Sequence, residues 1–91
     1  MEFQTGMLVE SRAGHDKGNL YIITGMDGQY VYLCDGRLRP TDRPKKKKAK
    51  HIAKKGQIPD LIEEKILAHK PLENEDIKRV IKIWRSKNVK G

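Results

Sequence analysis

Between Thr41 and Gly56 the side chains Arg43, Lys45, Lys46, Lys47, Lys48, Lys50, Lys54 and Lys55 face one carboxylate, Asp42, for a net charge of +7. A block of this kind repels itself and is costly to pack unless an anion neutralises it. Lysine suits contact with a phosphate backbone, because it is a flexible point charge that carries no sequence readout. Arg37, Arg39 and Arg43 add planar forks that can take a phosphate in two bonds or stack on a base. His51 lies inside the tract and reads either as a further contact or as plain surface. If about five phosphates of a single strand are neutralised, log K falls against log salt with a slope of about −3.5. A lysine run is also what a solvated, solubilising tail looks like, so the tract needs a structural partner to become a site.

A second set lies in the loop Arg12–Asn19. Gly14 and Gly18 bracket it and allow positive φ, while Arg12, His15, Lys17 and Asn19 could face one ligand together. The same glycines would serve equally in a simple turn. Tyr21, Tyr30 and Tyr32 are candidates for stacking on unpaired bases. Alternation puts Tyr30 and Tyr32 on one strand face, opposite Val31 and Leu33.

Other chemistries find little support. Cys34 is the single cysteine, and with His15, His51 and His69 scattered along the chain there is no metal-ligand spacing. Cys34 reads as a strand residue and His69 as a helix-terminus residue. No paired-carboxylate, phosphate-loop, dinucleotide or triad signature is present, so neither a catalytic residue nor a cofactor is expected.

These residues must be positioned by one small domain, since 91 residues are too few to divide into two. The hydrophobic fraction is 36% and the charged fraction 35%, enough for a modest core and against a large buried active-site cavity. No apolar run approaches a membrane span, and the N-terminal residues lack a secretory pattern. With the lone cysteine, this leads to the expectation of a soluble, cytoplasmic protein.

Residues 1–40 read as β. The apolar runs Met7–Ser11, Leu20–Met26 and Tyr30–Cys34, with a further piece at Leu38 near Pro40, are separated by turn signals that include Asp27-Gly28 and Asp35-Gly36. Four or five short strands predict a small antiparallel barrel, with the lysine tract as an arm beside it. Residues 57–91 read as α. Asp60 is a predicted N-cap with Glu63 three residues on, Pro71 ends this helix, and Asn74 is a predicted cap for a second. Ile77, Val80, Ile81 and Trp84 recur at i, i+3, i+4 and i+7, a face built for burial. The division is thus 1–56 for barrel and arm and 57–91 for a helical pair packed on it. The class is mainly β within α+β.

The segment Gly6-Met7-Leu8-Val9-Glu10-Ser11-Arg12-Ala13-Gly14-His15-Asp16-Lys17-Gly18, continued by Leu20–Ile23 and the Asp27-Gly28 turn, resembles the KOW motif. With its lysine tract, the chain is similar to bacterial KOW-domain RNA-binding proteins and to the KOW-barrel large-subunit ribosomal proteins of archaea and eukaryotes. The resemblance implies an SH3-like barrel that binds RNA at the ribosome, with other ribosomal or translation proteins as further partners. The phosphate contacts expected from the residues themselves are those of Arg12, His15, Lys17, Asn19 and the arm, in a protein expected to be monomeric away from the ribosome. A protein–protein module using the tyrosine face or the helical tail is the alternative. A membrane surface is not expected as partner, because no hydrophobic anchor adjoins the basic tract.

Overall fold

The computed structural model describes residues 2–88. Five strands, β1 (Leu8–Ser11), β2 (Leu20–Asp27), β3 (Tyr30–Cys34), β4 (Lys45–Lys48) and β5 (Ile52–Lys54), precede two helices, α1 (Asp60–Leu67) and α2 (Asn74–Asn88). All strand pairs are antiparallel, in the order β4-β3-β2-β1-β5. The edge strands β4 and β5 are consecutive in the chain, joined only by a 3-10 turn, Ala49–His51. In a flat five-stranded sheet the edges would lie about 19 Å apart. The step from Lys48 to Ile52 reaches about 14 Å even when fully extended. The sheet must therefore curl.

Local chemistry explains the strands. In Leu20-Tyr21-Ile22-Ile23 an aromatic and two β-branched residues follow a leucine, and both faces of the segment are buried. β2 and β3 are joined by Gly28-Gln29, with Gly28 at φ +61° in the first loop position, the arrangement a type II′ hairpin uses. A register shift between Ile23 and Gly25 bends β2 midway.

The curl makes two apolar clusters. Its concave face gathers Phe3, Met7, Val9, Tyr21, Ile23, Val31, Leu33 and Ile52. The convex face offers Leu8, Leu20, Ile22 and Cys34 to Ile62 of α1 and to Ile77, Val80 and Ile81 of α2, with Trp84 partly buried at the margin. Each fully buried aliphatic side chain contributes about 2 kcal/mol of transfer free energy, so the α2 stripe holds the helices on the sheet.

Four expectations are corrected. Leu38 is in no strand and is 86% exposed, because residues 35–44 form a loop organised by the Asp35 carboxylate, which accepts the Arg37 and Arg39 amides at 2.8 and 2.9 Å. The lysine tract is not an arm: Lys45–Lys48 pairs along β3 from Leu33 to Tyr30. Asp60 is the first residue of α1 rather than its cap. Pro59 stands at the cap without a side-chain bond, since its ring carries no acceptor for the first helical amides. Asn74 likewise does not cap α2. Its Oδ1 accepts the Thr41 amide at 2.8 Å, and the Asp76 carboxylate reaches back to the Glu73 amide at 3.0 Å instead. Gly36, at φ +81°, lies so close to the first turn of α2 that a Cβ would stand 2.5 Å from the Asn74 carbonyl oxygen. The 35–44 loop and α2 are thereby clamped together.

Candidate nucleic-acid interface

The loop between β1 and β2 is built around Asp16. This carboxylate is 8% exposed and is met by four donors: Ser11 Oγ at 2.8 Å, Tyr21 OH at 3.0 Å, Lys45 Nζ at 2.9 Å and Lys47 Nζ at 3.0 Å. Burial alone would raise the Asp16 carboxyl, but the bonds from Lys45, Lys47, Ser11 and Tyr21 outweigh it and hold the group well below the usual carboxylate range. Lys47 also donates to the Ala13 carbonyl at 2.9 Å. Gly14 and Gly18 sit at φ +86° and +93°, conformations that let the chain fold round the carboxylate.

Strand alternation explains the lysines. Lys45 is opposite Leu33 and Lys47 opposite Val31, so both lie on the concave, core-lining face. Only their ammonium ends reach the rim, where Asp16 takes them. Lys46 and Lys48 are opposite Tyr32 and Tyr30 and project to the other face. Lys46 Nζ stands 4.5 Å from the Tyr30 ring centroid, a cation–π contact. The tract therefore divides into two structural lysines and two outward ones.

This division corrects two assignments. Lys45 and Lys47 are committed to Asp16 and are not free to take a phosphate. Tyr21 is 3% exposed with its hydroxyl bonded to Asp16, so it cannot stack on a base. Burial lifts its phenol pKa, and the neighbouring Asp16 charge adds to the rise. Tyr30 and Tyr32 are half-buried on the outer face.

The remaining predicted residues are largely at the surface. Arg12, His15, Lys17 and Asn19 are exposed on the first loop, Lys50 and Lys54 are exposed, and His51 is half-buried. The Arg12 amide donates to the His51 carbonyl at 2.8 Å, which ties the first loop to the 3-10 turn. Arg12 and Lys55 both pair with Glu10, at 3.6 and 3.2 Å. Arg37, Arg39 and Arg43 are exposed on the 35–44 loop. In this topology that loop leaves the sheet at the same end as the first loop, because the end of β3 lies beside the start of β2. The fold thus brings the first loop, separate in sequence, to the ammonium groups of Lys45 and Lys47, while Lys48 lies beside the β2–β3 turn, where the Ala49 amide donates to the Gln29 carbonyl at 2.8 Å.

No sequence motif marks Asp16 as the centre of this loop. A lone acid between two glycines in a basic loop was the available signal. Nothing in the spacing of Lys78, Arg79, Lys82 and Arg85 distinguishes them from an ordinary solvated helix face. Among the described residues no group of three or more His, Cys, Asp or Glu could hold a metal ion. Cys34 is buried, with Sγ 3.5 Å from the Pro40 carbonyl oxygen. Burial pushes its thiol pKa up, Asp35 and Asp42 add to the rise, and the reactive thiolate is disfavoured. Among the described residues no helix is long and apolar enough to cross a membrane. In comparisons with known proteins, no family model and no curated protein matches the chain.

Proposed function

We propose that this protein is an RNA-binding module of the KOW type, with the curled sheet as an SH3-like barrel, and that it holds structured RNA through phosphate contacts. One observation carries the reading: Asp16 joins the first loop to Lys45 and Lys47, the Arg12–His51 bond joins it to the 3-10 turn, and Lys46, Lys48, Lys50, Lys17 and His15 stand at the surface around these contacts with no ion pair among the described residues. Two of the tract's lysines share the single carboxylate of Asp16, and the others face no carboxylate among the described residues except Lys55. A phosphate backbone supplies the missing anions. The 35–44 loop adds arginines at the same end. The contacts are to phosphates and shape rather than base edges, as suits a non-catalytic clamp on folded RNA.

Ribosomal RNA is the partner this reading favours, with the protein acting in the cytoplasm beside the translation machinery. Sedimentation through sucrose gradients tests it. The protein is expected to travel with ribosomal particles at low salt and to be released at high salt. Material that stays at the top of the gradient at both salt concentrations would overturn the ribosomal assignment. Absence of any salt-sensitive affinity for a folded RNA in solution would overturn RNA binding altogether.

A further inference from the structure

An open groove of about 990 Å³ runs between α2 and the loops at the rim. Its floor includes Leu20 and Ile81, both largely buried, and its wall carries Arg37, Lys78, Arg79, Lys82 and Arg85. Two carboxylates also line it, and both are engaged. Glu75 pairs with Lys78 at 2.8 Å, and Asp35 Oδ1 accepts the amides of Arg37 and Arg39. Arg37, Arg79, Lys82 and Arg85 make no ion pair among the described residues and are exposed.

The helix dipole accounts for cations in the last turn, where Arg85 and Lys87 lie. It gives no reason for Arg79 early in the helix or Lys82 in its middle. From Lys78 to Arg85 the basic face runs about 10 Å at 1.5 Å per residue, long enough to follow a strand rather than to hold one ion. The opposite face of the helix is spent on the core through Ile77, Val80 and Ile81. The clamp of Gly36 and Thr41 against Asn74 fixes Arg37 at the head of this row.

We infer that this groove is a second phosphate-binding surface, in which the backbone of the RNA lies along α2 with its sugars over the apolar floor. The inference rests on the RNA reading above. It adds α2 to the interface, so that one RNA is gripped both at the rim and along the helix.

Anisotropy of a labelled RNA hairpin, titrated between about 50 and 200 mM salt, tests it with the full chain and with the variant R79Q/K82Q/R85Q. Losing three contacts should flatten the slope of log K against log salt by about 2 and weaken low-salt binding about tenfold. In the unsubstituted protein, backbone amide resonances of Lys78–Ser86 should move as the hairpin is added, a readout that does not depend on the variant folding. An unchanged slope in a folded variant, or α2 amides that stay still while rim amides move, overturns the groove and leaves the rim standing. A full chain with no affinity for the hairpin overturns both.

Discussion

Asp16 decides more than any other side chain. Four donors converge on one buried carboxylate, and two of them are lysines that would otherwise sit close together at the edge of the core. Asp16→Asn keeps the size and removes the charge. It leaves Lys45 and Lys47 facing each other and turns an amide N–H₂ towards donors. We expect a loss of about 2–3 kcal/mol, since removing one partner of a buried pair strands the other. In a domain of this size that lowers the thermal midpoint by roughly 10–20 °C. The pH dependence follows from the depressed carboxyl. The unfolded chain binds the proton first, so the contribution is complete above the ordinary aspartate range near about pH 4. It drains away as the pH falls from there towards the lower folded value. Thermal unfolding at neutral pH and near pH 3 should therefore show the gap between the two proteins narrowing in acid; a constant gap would refute the assignment. His69 gives a test of opposite sign. It ends α1 at φ +56°, with its amide bonded to the Ile66 carbonyl and the Lys70 amide to the Lys65 carbonyl, the pattern of a Schellman cap that glycine fills without strain. His69→Gly should raise stability by about 0.5–1 kcal/mol, read as a higher midpoint in urea.

At the scale of elements, β4 is the instructive case. A run of four lysines has little strand propensity, and its charge pattern reads as a solvated tract. It becomes a strand because alternate ammonium groups find the Asp16 carboxylate while the stems between them cover Val31 and Leu33. No local signal in Lys45–Lys48 encodes this, since the acid lies about 30 residues earlier. The apolar strands and the i, i+3, i+4 stripe of α2 were legible because period alone places Leu20–Ile23 and Ile77, Val80 and Ile81 in the core. The caps were not, because Asn74 spends its side chain on Thr41, a partner fixed only by the tertiary fold. The alternation in β4 predicts that neighbouring lysines differ in kind. K45Q/K47Q should lower the thermal midpoint by several degrees, as two charge-assisted bonds to a buried acid are lost. K46Q/K48Q should leave the midpoint within about 2 °C, because surface charges contribute little, yet flatten the salt dependence of RNA affinity by about 1.4. If both pairs behaved alike in both measurements, the inward–outward division would be wrong.

For the molecule as a whole, the net charge of +8 invites a simpler account in which any polyanion binds the chain by charge alone. Folding does not change that total. It changes where the charges are, bringing the first loop beside β4 and setting Arg37 at the head of the α2 row. The two accounts separate in a stability measurement. A ligand that binds only the folded protein stabilises it by about 2.7 kcal/mol when present at a hundred times its dissociation constant, whereas binding to the unfolded chain cancels the gain. If the arrangement matters, a folded RNA at that excess should raise the thermal midpoint by roughly 10–20 °C. A flexible polyanion such as polyphosphate, matched in charge and ionic strength, should raise it far less, because it tracks the unfolded chain nearly as well. Equal shifts from both ligands would mean that the protein offers charge without geometry. A large shift with RNA that K46Q/K48Q reduces would show that the curled sheet, and not composition alone, makes the binding surface.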